Sequence, residues 1–527
     1  MSVKLLKSTI IVSMMTLVSR ISGLLRDVIM ANVLGSGPIS DAFFVAFRIP
    51  NFLRRIFGEG AFSQAFVPVF TELNSQNTQE AKQFVSATAG RLGIVVFILS
   101  VIGVLFAPLI IRLFAPGFVD EPEKFEMTVK ALRIMFPYLF FISLVAMSAA
   151  ILNTLNRFAI PAATPVLLNL CLIFALIFFV KGLGDLGGDI TSLDFNLAES
   201  AATILAISVL VAGFVQLIFQ LPELKKQGIL VAPNLKQHPA TKKVFTLMVP
   251  AMFGVSVAQI NTLVNTILAS FLVTGSVSWL YYSDRLMEFP VGVFGIALAT
   301  VVLPSLSKER QHGTPQSYSS MIDWALRWVV MIALPAAVAL ALLAVPLLSS
   351  LFQYNAFKGS DVIQASLSLI AYSVGVVAFI MIKVLAPGFY ARQNTKTPVK
   401  IAAFAVLCNI VLSLVFIGPF KHAGLALAIS LAAWINAGLL GYSLKRNSIY
   451  RPEKGWMLFL FRISIAVAIM SVVIIFFRGA EDFWLSATFL QRIIELIKVI
   501  SLAILAYFIM LYILGLRPHQ LLLRKHN

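Results

Sequence analysis

Residues 47–68 read FRIPNFLRRIFGEGAFSQAFVP, which places Arg48, Arg54, Arg55 and Glu59 inside a run otherwise apolar enough to enter a bilayer. Upstream, residues 19–27 read SRISGLLRD and put Arg20, Arg26 and Asp27 in the same situation. A charge at bilayer depth costs at least about 2.5–3.5 kcal/mol. The five arginines between positions 20 and 55 are therefore expected to serve a common purpose. The arrangement of lowest cost turns them into a shared water-filled cavity. Such a cavity would receive a polyanionic head group, a phosphate or diphosphate, whose oxygens match the guanidinium fork.

The rest of the chain is a membrane composition. Of 527 residues, 59% are hydrophobic and 12% charged, and the mean hydropathy is +0.92. A soluble domain carries about twice that charged fraction, near ~25%. The net charge of +18 is spread through short loops between apolar runs. That placement reads as orienting charge rather than a nucleic-acid surface. Cys171 and Cys408 lie inside apolar runs and read as packing residues. The first apolar run is long and carries Arg20 and Arg26, unlike a cleaved signal peptide. No zinc-ligand spacing and no Walker loop occurs, and His238, His312, His422, His519 and His526 read as loop or tail residues. No metal, cofactor or enzymatic chemistry is expected.

Spanning a bilayer takes about 20 mostly apolar residues. On that rule the chain is an all-α polytopic membrane protein. Fourteen helices are expected, near 8–34, 42–70, 88–114, 131–155, 160–181, 198–221, 244–273, 277–306, 321–352, 364–391, 397–418, 421–444, 456–478 and 490–516. Loop charge orients them. One set of loops holds Asp120, Glu121, Glu123, Glu126, Asp185, Asp189, Asp194, Glu481 and Asp482. The opposite set holds Lys225, Lys226, Lys236, Lys242, Lys243, Arg392, Lys396, Arg446 and Arg451, and the tail adds Arg517, Arg524 and Lys525. The basic side is cytoplasmic by the positive-inside rule, so both termini are expected there.

An internal repeat is visible. A shift of 237 residues brings Pro161 onto Pro398, Leu170-Cys171 onto Leu407-Cys408 and Phe57-Gly58 onto Phe294-Gly295; a shift of 240 brings Gly35 onto Gly275 and Pro50 onto Pro290. The expected organisation is a six-helix lobe over 1–222, a basic linker 223–243, a second six-helix lobe over 244–445, two additional helices over 456–516 and a basic tail 517–527. Repeats in the same orientation are related by an axis along the membrane normal, which suits two lobes around a central site.

Within the charged stretches, Arg20 and Arg26 are six apart, close to two turns, which predicts neighbouring faces, with Ser19 beside Arg20 and Asp27 placed to hold Arg26. Arg48, Arg55 and Glu59 recur at seven and four, one stripe, so Arg55 and Glu59 can pair. Arg54 lacks an obvious local partner and is the better anion ligand. Asn51 follows Pro50 and reads as a cap for backbone groups that the proline frees. Asp41 reads as a gate contact or as an N-cap of its helix. In YYSDRLMEFP, Asp284 and Glu288 share a face and need a cation there, while Arg285 and Ser283 adjoin them. The residues leave three readings open: a transporter with an anion-binding cavity, a scaffold or channel whose charges pair internally, and a lipid-modifying enzyme, the last weakened by the missing acid–base or metal set.

These stretches, with GSVSWLYYSDRLMEFPVGVFGIALATVVLPSLS and KVLAPGFYARQNTKTPVK, resemble the MviN/MurJ family of lipid II flippases of the multidrug/oligosaccharidyl-lipid/polysaccharide exporter superfamily. The resemblance runs through most of the chain. It implies two six-helix lobes around a central cavity, and two additional helices forming a groove for the lipid tail. It implies passage of undecaprenyl-diphospho-MurNAc-pentapeptide-GlcNAc (lipid II) from the cytoplasmic to the periplasmic leaflet of the bacterial inner membrane, by alternating access. Substrate-binding arginines would be Arg20, Arg26, Arg54 and Arg285. Cavity acids would be Asp27, Asp41 and Glu59. The energy source would be the membrane potential or an ion, and cell-wall synthesis proteins would be candidate partners. A flippase for another undecaprenyl-diphosphate-linked oligosaccharide is the nearest alternative; a drug/cation antiporter would want an acidic cavity.

Helices 456–516 lie outside the repeat and are apolar away from their ends. A photoreactive polyprenyl tail is expected to crosslink there and much less to the arginine-bearing helices. Labelling confined to the first twelve helices would refute the groove.

Overall fold

Apolar segments in a medium without water must satisfy their N–H and C=O groups internally, and helices do so within one segment. The computed structural model describes residues 3–55, 61–182 and 195–516. The described residues are 87% helical, and no strand occurs among them. Among those residues, ten helical segments are long and apolar enough to cross a membrane. Two of the fourteen expected spans, 397–418 and 421–444, fall in a single one of these ten, Lys396–Arg446, which bends at Lys421.

Contact density divides the chain into two units, Met1–Ser278 with Tyr354–Phe357, and Trp279–Gln353 with Lys358–Asn527. This cut differs from the one the repeat gives at 223–243. The first unit contains α1 (Val3–Leu34), α2 (Pro38–Arg54), α3 (Ala61–Gln76), α4 (Thr78–Leu105), α5 (Ala107–Phe114), α6 (Pro122–Met135), α7 (Tyr138–Thr154), α8 (Ala159–Phe174), α9 (Phe195–Lys226) and α10 (Pro239–Ser270). Helix α10 packs on α3 and so falls with this unit.

The core of the first unit starts from an i, i+4 spacing. Phe62, Phe66 and Phe70 share one face of α3 and stack at 5.1 and 5.6 Å, and Phe84 of α4 stacks on Phe66 at 5.3 Å. Each such ring pair adds about 0.5–1.5 kcal/mol beyond its buried area. Met147, Ile151, Leu224 and Val244 close around them. The basic linker is tied down as well. Asn234 donates from its backbone N to the Ser86 carbonyl at 3.1 Å and from Nδ2 to Ser86 Oγ at 2.7 Å. Gly90 of α4 lets this strap lie flat, since a Cβ there would stand 2.0 Å from the Asn234 carbonyl oxygen.

The second unit contains most of α11 (Ser276–Pro290), then α12 (Ile296–His312), α13 (Pro315–Leu342), α14 (Ala344–Phe352), α15 (Gly359–Ser373), α16 (Val376–Tyr390), α17 (Lys396–Arg446), α18 (Trp456–Arg478), α19 (Glu481–Ser486) and α20 (Phe489–Ile513). Helices α18 and α20 pair with each other and against α13 through Val330, Met331, Ile463, Ile474, Val499 and Tyr507. Buried Asp323 of α13 fixes the approach to α18: it accepts from Tyr450 Oη at 2.8 Å, Glu453 N at 3.1 Å, Trp456 Nε1 at 2.6 Å and Arg327 Nε at 2.8 Å. His422, expected in a loop, is buried at the α17 bend between Ser368 Oγ at 2.8 Å and Gln364 Oε1 at 3.0 Å. Arg492 of α20 is buried too, and donates to the carbonyls of Ser349, Gln353 and Leu485. A guanidinium meeting the carbonyls at the end of α14 is favoured by the dipole of that terminus.

The strap makes a testable claim. Gly90→Ala should destabilise the purified protein by about 1–3 kcal/mol, the usual range for overpacking. Gly93→Ala on the same helix, where a Cβ would meet only Phe140 at 3.7 Å, should not. Thermal unfolding of the two variants beside the parent decides it; equal midpoints would refute the close approach.

Candidate functional site

On α1, the Arg26 guanidinium is buried and bonds Asp27 Oδ1 through Nε at 3.0 Å and Nη2 at 2.6 Å. Its Nη1 donates to Asn169 Oδ1 of α8 at 3.1 Å. Asn169 Nδ2 in turn donates to Ser22 Oγ at 2.9 Å and to the Ser19 carbonyl at 3.3 Å. Helix α8 thus reads α1 through one amide, and Ser19 takes part through its backbone. Arg20 is half-buried and makes no ion pair among the described residues. The expected neighbouring faces are not found. Six residues turn a helix by about 600°, which leaves Arg20 and Arg26 about 120° apart, so α8 covers one and not the other.

On α2, Asn51 does not serve as a proline cap. Its Oδ1 accepts from Arg54 Nε at 3.0 Å and Nη2 at 2.8 Å, one turn along the helix. Arg54 therefore has the local partner that the sequence did not offer it. Arg48 donates to Thr266 Oγ1, and Arg55 to Gln259 Oε1 at 3.1 Å, both on α10. Glu59, the expected partner of Arg55, lies outside the described residues. From position 20 to 55 the chain sets five arginines against Asp27 and Asp41. Asp27 is engaged by Arg26.

Asp41 is 1% exposed and caps a helix that is not its own. Its Oδ2 accepts from Gly275 N at 2.7 Å; its Oδ1 accepts from Ser278 N at 3.0 Å and Ser278 Oγ at 2.6 Å. These are donors at the start of α11, where a carboxylate meets the positive end of the dipole. Gly275 adopts φ +98°, and Gly35, its counterpart in the first repeat, adopts φ +65°, a conformation that favours glycine. Asp41 and Ser278 are 237 residues apart in the chain. The salt bridge from Lys124 Nζ to Asp41 Oδ2, at 3.6 Å, completes the cluster.

In the second unit, Arg285 supplies the cation that Glu288 requires. Its Nη1 donates to Glu288 Oε2 at 3.1 Å, and Nη2 to Tyr281 Oη at 3.1 Å, with the guanidinium 4.9 Å from the Tyr281 ring centre. A side chain as long as arginine reaches i+3 readily, so adjacency in the chain does not keep Arg285 from that carboxylate. Asp284 is partly buried on the same helix, and Ser283 bonds the Ala365 carbonyl at 2.7 Å. Arg285 stands 237 residues from Arg48, one of the two offsets seen in the sequence.

Sequence reasoning missed Asn169, Gln259, Thr266 and Lys124. Three are neutral polar residues in apolar helices, whose partners lie 143–218 residues away and leave no local pattern. Lys124 sits among four acids and reads as one more loop charge.

The family model described as "Lipid II flippase MurJ" matches residues 30–495. A Vibrio cholerae serotype O1 protein described as "Probable lipid II flippase MurJ" is 45% identical over 99% of this chain and 98% of its own. The solved structure "Lipid II flippase MurJ, inward closed conformation" matches with a TM-score of 0.77 at 30% identity, covering 96% of this chain and 98% of its own. An inward-facing multidrug resistance MATE transporter of the MOP superfamily shares the fold at 14% identity, with a TM-score of 0.63 over 84% of this chain and 98% of its own.

Asn169→Leu, which keeps the branched shape and removes the amide, should lower the stability of the purified protein by about 1–3 kcal/mol. Asp27→Asn should do likewise, and the double variant should lose less than the sum, because both act on Arg26. Additive losses in thermal unfolding would show that the two residues do not share the guanidinium.

Proposed function

The chain belongs to the MurJ lipid II flippase family, a family of transporters rather than enzymes, and from that premise we propose that it moves lipid II from the cytoplasmic to the periplasmic leaflet of a bacterial inner membrane. The observation that carries the reading is the end-to-end likeness to the Vibrio cholerae relative, 45% over 99% of the chain. The physical chemistry agrees with it. A sugar–peptide diphosphate head cannot enter hydrocarbon unaided, whereas its polyprenyl tail is at home there. A surplus of guanidinium groups on apolar helices is a fitting receptor for the diphosphate.

The reading gives each part a task. Arg20, Arg26, Arg54 and Arg285 bind the head group in a cationic cavity. Asp27 and Asn51 orient two of those guanidinium groups. Two repeat-related lobes, 1–222 and 244–445, alternate access to that cavity, driven by the membrane potential or an ion. Helices α18 and α20 hold the tail. Both termini are cytoplasmic. The multidrug transporter likeness, at 14% identity, speaks to the fold alone.

Arg→Ala at Arg20, Arg26, Arg54 or Arg285 should abolish growth support in a strain depleted of its own lipid II flippase, with the protein still present in the membrane. Arg→Lys should fail at most of these positions, since lysine offers no fork. Full complementation by all four alanine variants would remove the anion site.

A further inference from the structure

Lys124 is 2% exposed and belongs to no part of the proposed head-group site. A lysine this deep needs partners for its charge, and three segments supply them. Its Nζ donates to Glu121 Oε1 at 3.2 Å and to Thr274 Oγ1 at 3.0 Å, and stands 3.6 Å from Asp41 Oδ2. The ammonium also lies 4.1 Å from the Phe118 ring centre. The 3-10 turn Pro116–Asp120 is seated by the same region: Gly117 N donates to Ser270 Oγ at 3.1 Å, and a Cβ on Gly117 would stand 2.2 Å from the Ser270 carbonyl oxygen. Residues 117–124 therefore rest against the turn between α10 and α11.

We infer that Lys124 is a positioning residue: its buried ammonium keeps the Asp41 carboxylate charged and aimed at the N-terminus of α11, and so fixes the first turn of the helix that carries Arg285. The inference rests on the transporter reading for its importance, but not for its geometry. A buried carboxylate that loses its only lysine keeps three donors on α11 and loses its compensating charge. Glu121 does not replace that charge; it is acidic itself, and its half-exposed side chain can turn to solvent. Without Lys124, the buried carboxylate either takes up a proton, which weakens its acceptance from the α11 donors, or draws that turn toward water; both loosen the cap. Lys124 thus biases this helix start toward its capped state, acting only through Asp41.

The test uses the full chain in nanodiscs, with Cys171 and Cys408 replaced by alanine and Ser276→Cys as the probe. Ser276 opens α11 and is 1% exposed, so a fluorescent maleimide should react slowly in the parent. Lys124→Gln should raise the labelling rate at least about tenfold, in keeping with the cost of stranding one partner of a buried pair. Lys124→Arg should stay within about twofold of the parent, since arginine keeps the charge. Asp41→Asn should match Lys124→Gln, and the double variant should be no faster than the faster single. Ser208→Cys, buried on α9 in the same unit, reports general loosening. An unchanged rate in Lys124→Gln, a double variant that multiplies the single effects, or a parallel rise at the Ser208→Cys probe would each overturn the inference. No lipid II is present in the assay, so its failure is separate from a failure of the flippase reading.

Discussion

A cation inside an apolar helix bundle has to be met by charge, by hydrogen-bond acceptors or by water, and that requirement organises this protein. Where Arg26 is buried, Asp27 and Asn169 meet it, and α8 is thereby joined to α1. Where Lys124 is buried, Asp41, Glu121 and Thr274 meet it, and α2, α6 and the α10–α11 turn converge. Arg492 is met by three backbone carbonyls, which ties α20 to the end of α14. Arg327 and the indole of Trp456 converge on Asp323. Each buried charge is also a joint between elements. Because stranding one member of such a pair costs about 3–5 kcal/mol, these joints fix geometry more sharply than apolar packing does.

The half-buried arginines follow a different rule. Arg54 is steadied by the amide of Asn51, and Arg285 by Tyr281 and the exposed carboxylate of Glu288. The neutral amide orients the Arg54 guanidinium without cancelling its charge, whereas Glu288 pairs with the charge of Arg285. That distinction cuts across the sequence motifs: within SRISGLLRD, Arg26 is buried against a carboxylate, while Arg20 is half-buried and makes no ion pair among the described residues.

Close approach of backbones supplies the second constraint. Gly90 admits the linker strap, Gly117 admits the α10 terminus, and Gly35 and Gly275 take left-handed turns at equivalent places in the two repeats. Arg48 and Arg285 meet different partners, Thr266 in one case and Glu288 with Tyr281 in the other.

The sequence alone determined the class of the molecule. Long apolar runs favour helices in a bilayer, because a helix satisfies its backbone groups within one segment. The offsets of 237 and 240 were legible because a tandem duplication leaves a linear trace. Partners were not legible. Gln259, 204 residues away, meets Arg55, while Glu59, its expected partner, lies outside the described residues. Asp41 read as a gate contact or as a cap for its own helix, and it caps one beginning 235 residues later. Asn169 and Lys124 carried no signal. Spacing along a chain encodes which face of a helix a side chain occupies, because helix geometry is local. Which residue waits opposite depends on how helices far apart in sequence are packed, and only the tertiary structure decides that.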